Sequence, residues 1–479
     1  MFDDQPLSIS MVRKVDYRAA KLYFMAFISS LGAVGWGYNL TVINSIKSYL
    51  DNTLYPDASA LSLALIAALP TLGAAVASYM CSPLLPRYGR RGLLIIADFL
   101  AITGSLLSLM HNLPILIIGR GLVGLAIGLN NVTIPLYNVE VAATPIKGII
   151  GAMFMMMLAF GQFLGLAVQF LMKLPSPEMW RILLAVPIVF SVVRLLTFML
   201  YVKFETPFHL VLQGKLQEAR EVLQLIYTDN VDLHLSEVLK DKEASTQQNG
   251  NLTLADMFTP KYLRAFVVGN YIYISLHLCG FGPIFLFFNE FIRGSAGGDL
   301  VTMSIFSTLM GFVSFTFTCV AAFHIEKFGR RNLLIKGMSM LLCCTLLFAI
   351  VGYADGINSP FLKYILVLWP AFYRLSIGTV APIYISELLP GPGVAFSTFI
   401  SWTVGFIMSE FFPLMVATVG IQGVMMTFGG FCLLAIIISN KVMIESKGRT
   451  KAELLTMYAT GKVIIVDEST ADDTQSLII

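Results

Sequence analysis

Four ionisable side chains, Asp98, Arg194, Arg374 and Glu410, lie inside otherwise apolar stretches of this sequence. Charge is costly in such a stretch, so each is a functional candidate whose partner has to be found. Two arrangements are open. Asp98 with Arg194 and Arg374 with Glu410 can form structural ion pairs that hold helices together. In the other, Arg374 and His277 bind an anionic solute, with Glu410 tuning or competing. Uncharged hydrogen-bonding groups accompany them. Gln162 and Gln169 are spaced to share one face of a helix, and each amide offers donors and acceptors to hydroxyl groups. Chemistry of other kinds is not signalled. The sequence carries no Walker lysine loop, nucleophile constellation or metal-ligand cluster, so neither an enzyme nor a cofactor or metal is expected.

A second set of charged residues is written twice. Arg87-Tyr88-Gly89-Arg90-Arg91 returns as Lys327-Phe328-Gly329-Arg330-Arg331. Pro135-Leu136-Tyr137-Asn138-Val139-Glu140 recurs as Pro382-Ile383-Tyr384-Ile385-Ser386-Glu387, and Phe204-Glu205-Thr206-Pro207 is answered by Ile444-Glu445-Ser446-Lys447-Gly448. Three motifs repeated in one order imply two halves that are structural copies. Membrane carriers built from repeats place their substrate between such halves.

The elements that must position these residues follow from composition. The chain of 479 residues is 57% apolar and only 13% charged, against about 25% charged in a soluble domain. Its mean hydropathy is +0.77. About twelve stretches can each cross a bilayer as a helix: 20–46, 59–84, 92–110, 113–138, 148–172, 180–203, 264–291, 300–325, 333–353, 359–386, 395–418 and 421–443. The expected architecture is an all-α membrane protein of two pseudo-symmetric six-helix bundles, 1–203 and 263–443. A cytoplasmic helical insert, 204–262, joins them, and a tail, 444–479, follows. A soluble α/β protein would need more charge and amphipathic surface helices.

The net charge of +3 says little, but its distribution is uneven. Arg13, Lys14, Arg18 and Lys21 precede the first span, and Arg87, Arg90, Arg91, Lys147, Lys327, Arg330, Arg331 and Lys336 fall in alternate loops. The positive-inside rule then places both termini and the insert in the cytoplasm. In the insert, Leu212, Leu216, Ala219, Leu223 and Ile226 recur at helical spacing, whereas Glu243 to Gly250 reads as a flexible linker. The six cysteines all lie in apolar stretches and read as small core residues. Near the end, Asp473-Thr474-Gln475-Ser476-Leu477-Ile478 fits an acidic dileucine pattern that a sorting adaptor would read. The destination is thus the plasma membrane or an endosomal, lysosome-like membrane.

Taken together and in order, these motifs resemble the sugar-porter, glucose-transporter-like branch of the major facilitator superfamily, over residues 25–455. The likeness includes Gly37-Tyr38-Asn39, Gly119-Arg120, Gly124 and Gly128, and Glu445-Ser446-Lys447-Gly448-Arg449-Thr450 after the last span. The resemblance implies transport of a hexose or related sugar by alternating access. It implies that Arg90 and Arg91 clasp Glu140 and Glu205, that Arg330 and Arg331 clasp Glu387 and Glu445, and that both clasps break as the bundles rock. The alternative is that these arginines only set topology. Trp402 matches the family's cavity-lining tryptophan, with Ser401 where an asparagine is common. Asn39 stands where proton-coupled members carry an aspartate; it cannot titrate, which favours facilitated diffusion.

Departures from the family pattern bear on the substrate. Phe208 and Val394 stand where arginines are usual. In the seventh span the family's two glutamines and asparagine are replaced by Leu276-His277-Leu278-Cys279-Gly280-Phe281-Gly282, which leaves His277 as the polar group. The substrate site is therefore expected to be Asn39, Gln162, Gln169, His277, Arg374, Ser401 and Trp402. The lost grip also leaves open an organic-anion carrier using Arg374 and His277, or a non-transporting sensor-like homologue.

Overall fold

A computed structural model describes residues 17–143, 146–173, 178–228, 230–249, 252–294, 296–297, 299–449 and 451–461. The 473–478 sorting pattern lies outside them. In a bilayer the backbone must satisfy its own hydrogen bonds, and helices account for nearly all the described chain. In the first half these are α1 (Ala19–Tyr49), α2 (Ala60–Ser108), α3 (Leu113–Val141), α4 (Lys147–Ala167) and α5 (Met179–Leu200). The insert holds α6 (Pro207–Leu212), α7 (Leu216–Ile226) and α8 (Val231–Asn249). The second half holds α9 (Leu263–Leu278), α10 (Phe281–Leu286), α11 (Phe288–Ile292), α12 (Leu300–Phe328), α13 (Arg330–Ala354), α14 (Leu362–Leu375), α15 (Ile377–Leu388), α16 (Gly391–Glu410), α17 (Phe412–Val442) and α18 (Lys451–Thr460).

Eleven segments are long and apolar enough to span a membrane. One of them, Leu61–Ser108, is two passes in one run, because Gly89 interrupts α2 at φ +73°, ψ 178°. Twelve passes result, as the sequence led one to expect. Gly420 makes the same break inside α17 at φ +71°, so the eleventh pass continues through Phe411 to that glycine. The surface is that of a membrane protein: Val189, Phe323 and Ile350 are 61%, 67% and 58% exposed. A soluble protein rarely displays large apolar residues so densely.

Packing at the centre of the first half depends on close backbone approach between α1 and α4. A Cβ at Gly37 would collide with the Leu158 carbonyl oxygen, and one at Gly161 with that of Val34. The Thr41 and Ser45 hydroxyls, at 3.0 and 2.8 Å, donate across the contact to the carbonyl oxygens of Gln162 and Gly165. This fixes the height and rotation of Gln162.

The halves touch at both ends. On the Gly89 side the Tyr79 and Phe399 rings meet at 5.9 Å. On the opposite side the Asn289 N–H donates to Asn44 Oδ1, and Asn289 Nδ2 to the Asn44 carbonyl, both at 3.1 Å. Between them Phe160 and Phe163 of α4 pack on Phe315 and Phe312 of α12, at 5.7 and 6.0 Å.

Several expectations need correction. The residues read as a flexible linker continue α8 as far as Asn249, since Glu, Ala and Gln are good helix formers. The amphipathic helix starts at Leu216. Leu212 belongs to α6, and both leucines are exposed, whereas Ala219, Val222, Leu223 and Ile226 are buried. Cys343 is exposed on α13, unlike the buried Cys81, Cys279, Cys344 and Cys432.

Candidate functional site

Two broken passes frame the centre. Between α9 and α10, Gly280 takes φ +99°, and between α14 and α15, Ser376 takes φ −121°, ψ −117°. Arg374 sits on the second break, its own carbonyl accepting from Thr379 Oγ1 at 2.7 Å. Its guanidinium is 2% exposed and reaches across the boundary between halves. Nη2 donates to Gln162 Oε1, and Nε to Ser314 Oγ at 3.2 Å. Phe281, Phe285 and Tyr373 surround it, their ring centroids 5.6, 5.8 and 5.9 Å from the guanidinium carbon, within cation–π range.

The expected pairing of Arg374 with Glu410 is not formed. Glu410 ends α16, and among the described residues neither of its oxygens has a hydrogen-bond partner. The arginine is occupied by an amide oxygen, a hydroxyl and three rings instead. Asp98 and Arg194 do pair. Nη2 lies 2.7 Å from Asp98 Oδ1 with both side chains 0% exposed, Nε bonds both carboxylate oxygens at 3.0 Å, and Nη1 donates to the Ser29 carbonyl at 3.1 Å. That pair ties α1, α2 and α5 together.

Ring contacts carry the cluster onward from Arg374. Phe281 lies 6.1 Å from His277, His277 6.1 Å from Trp402, and Trp402 5.3 Å from Trp36. His277 Nε2 bonds Ser401 Oγ at 3.1 Å. His277 Nδ1, Gln162 Nε2 and Gln169 Oε1 are buried without a partner among the described residues. Gln169 lies past the α-helical end of α4, in the 3₁₀ turn Val168–Lys173, and is buried like Gln162. A cavity of about 10 Å³ remains between Trp36, Asn39, Leu40, Pro70, Ile127 and Trp402.

Asn39 closes the other side of that cavity, held by a residue that sequence reading quoted only as part of a motif. Arg120 is 1% exposed. Nη1 and Nη2 donate to Asn39 Oδ1 and to its carbonyl at 2.8 and 3.0 Å, and Nε to the Ile66 carbonyl at 3.0 Å. The missed signal is an arginine inside an apolar span. Phe281, Tyr373 and Ser314 were missed too; apolar or small, they carry no marker in sequence.

The duplicated loops build duplicated networks. Arg90 Nη2 lies 2.8 Å from Glu140 Oε1 and Arg330 Nη2 2.7 Å from Glu387 Oε1. The second oxygens of these carboxylates accept from Thr206 Oγ1 and Ser446 Oγ, each at 2.6 Å. Glu205 and Glu445 are gripped by backbone rather than by guanidinium. The N–H groups of Arg90 and Arg91 donate to Glu205, and those of Arg330 and Arg331 to Glu445, at 2.7–3.1 Å. This needs Gly89 and Gly329 at φ +73° and +79°, where a side chain would also strike the carboxylate.

The side chains of Arg91 and Arg331 do not reach the expected carboxylates. Arg91 donates to the Val202 and Phe198 carbonyls at 2.7 and 2.8 Å, and Arg331 to Asn440 at 2.8 and 3.0 Å. They cap helix ends, where cations are favoured. Each network stays within one half, so rigid-body rocking of the halves does not separate its partners, contrary to the expectation.

Only the first network contains a histidine. His209 Nδ1 lies 3.1 Å from Arg90 Nη1 and Nε2 lies 2.9 Å from Gln213 Nε2. Burial pulls its pKa below 6.5; Glu205 opposes the shift, while Arg90 and Lys215 add to it. A guanidinium only donates, so Nδ1 accepts from Arg90.

Comparison with known proteins agrees with this architecture. The sugar (and other) transporter family matches residues 25–458. The glucose transporter GlcP of Staphylococcus epidermidis is 27% identical over 443 residues, covering 91% of this chain and 97% of that protein. The solute carrier family 2, facilitated glucose transporter member 3 of Canis lupus familiaris is 26% identical over 465 residues, covering 91% and 92%. The fold matches the proton:xylose symporter XylE, bound to 6-bromo-6-deoxy-D-glucose, with a TM-score of 0.79 at 21% identity, over 92% of this chain and 100% of that one. With twelve passes, duplicated charged networks and a polar centre between two halves, the chain is a multi-pass membrane protein of the major facilitator fold and belongs to the sugar (and other) transporter family, whose members are carriers and not enzymes.

Proposed function

We propose that the protein moves a small polar solute, a hexose or related polyol, by alternating access and facilitated diffusion. The observation that carries this reading is the buried polar centre shared by both halves: Gln162 and Asn39 from one, Arg374, His277, Ser401 and Trp402 from the other. Amide and imidazole atoms left unpartnered there suit hydroxyl groups. Relatives named as glucose transporters support the substrate class. Uniport is supported by Asn39, which has no proton to give and is held by Arg120.

In this reading residues 1–203 and 263–443 are the two moving bundles, 204–262 is the insert and 444–479 the tail. Both termini face the cytoplasm, following the basic loops. The 473–478 pattern directs the protein to an endosomal or lysosome-like membrane; without an adaptor it resides at the plasma membrane. Uptake of radiolabelled hexoses into proteoliposomes tests the proposal. Saturable flux, indifferent to a proton gradient and weakened by Trp402→Leu, is expected. Flux that accumulates solute against its gradient only when a proton gradient is imposed would overturn the uniport reading.

A further inference from the structure

The centre carries more positive charge than the fold itself neutralises. Arg120 and Arg374 are 1% and 2% exposed, and among the described residues neither guanidinium lies within ion-pair distance of a carboxylate. Asp98 and Arg194 show how this fold treats a buried arginine that serves only packing: the carboxylate is supplied, with both oxygens engaged. Arg120 spends its donors on three carbonyl or amide oxygens. Arg374 is held more loosely, by one amide oxygen, one hydroxyl and three ring faces, and its Nη1 makes no hydrogen bond among the described residues.

A buried guanidinium without a counter-charge is unfavourable, and nothing in a neutral hexose offsets it. A carboxylate does, and its geometry matches the guanidinium fork. Around Arg374 the unpartnered atoms are neutral donors and acceptors: Gln162 Nε2, more than nine-tenths buried, and His277 Nδ1, reached through the ring of Phe281. These suit hydroxyls. The centre therefore presents one anion-binding contact, the Arg374 guanidinium, within a hydroxyl-binding wall.

We propose that the carried solute is a sugar acid, its carboxylate neutralised by Arg374 and its hydroxyls met by Gln162, His277 and Ser401. This rests on the transport reading above and narrows its substrate class. Gln162 belongs to the first half and Arg374 to the second, so the carboxylate displaces a contact that spans the moving boundary. In the empty protein that contact joins the halves directly, and in the loaded protein the solute replaces it.

The test compares D-glucuronate with D-glucose, both radiolabelled, in proteoliposomes of wild type, Arg374→Gln and Arg374→Lys. Melting temperatures of the same purified proteins are read with each compound. Saturable glucuronate flux that depends on membrane potential is expected. It should fall roughly tenfold to a hundredfold in Arg374→Gln, the worth of a charge-assisted bond, and survive in part in Arg374→Lys. Saturable glucose flux that is unaltered by Arg374→Gln and not competed by glucuronate would refute the sugar-acid assignment and leave the transport reading standing. If neither compound moves, but glucuronate raises the melting temperature of wild type and not of Arg374→Gln, the anion site stands and the carrier reading falls. Neither flux nor stabilisation would overturn both.

Discussion

Two buried arginines in this molecule have opposite surroundings. Arg194 is locked to Asp98 and to the Ser29 carbonyl, inside one half and away from the boundary. Arg374 stands at that boundary with an amide, a hydroxyl and three rings, and no carboxylate. From sequence the two looked alike, each an arginine with an acid at similar depth. The difference separates charge used to fasten helices from charge left available to a ligand. A paired ion is part of the scaffold, and removing either member strands the other in a medium that cannot solvate it. An arginine without an ionic partner strands no charge when it is replaced.

The contrast can be broken most sharply at Asp98. Asp98→Ala leaves Arg194 buried and uncompensated, so a loss of about 3–5 kcal/mol is expected, seen as a large drop in melting temperature and in monodisperse yield. Wild-type stability in that variant would remove the scaffold role. Next, Trp402→Leu and Gln162→Ala should weaken uptake, Gln162→Ala by about fivefold if its bond to solute is worth about 1 kcal/mol. Surface levels should stay near wild type, and unchanged uptake would take these residues out of the site. Arg374→Met is expected to leave stability unchanged or raise it, because removing an uncompensated buried charge offsets the loss of its bonds to Gln162 and Ser314. A fall as deep as that of Asp98→Ala would erase the distinction between the two arginines.

The smallest effect concerns the two charged networks, which among the described residues differ by one histidine. His209 has its pKa pulled down by burial, so the folded protein binds its proton less readily than the unfolded chain. The stability contributed by the neutral ring is fully present above the unfolded value of about 6.5 and declines as pH falls through it. His209→Gln should flatten that decline in melting temperature between pH 7 and pH 5. A slope unchanged by the substitution would assign the pH dependence elsewhere.

Much of the fold was legible because the chain repeats itself. The gate loops, their acids and the twelve apolar stretches follow from pattern alone, since bilayer thickness and backbone satisfaction leave few choices. What escaped depended on relations between distant residues. Gln162 could not be read as the partner of Arg374, because they belong to different halves and meet only through the packing of α4 on α12. Arg120 was hidden by its own motif, quoted for the resemblance and not asked what its charge touches. The end of α4 at Ala167, which leaves Gln169 in a 3₁₀ turn, is not reported by seven-residue spacing.

The two bonds that Asn289 donates to Asn44 bear on how tightly an empty carrier stays shut. They are a polar fastening between the halves on the side away from the basic loops. Two neutral hydrogen bonds of about 1 kcal/mol each bias that side shut by roughly thirty to one. Such a bias is large enough to keep an unloaded protein from standing ajar to ions and water. It is also small enough for ordinary thermal motion to undo many times a second, so the door is held on a latch and not a lock.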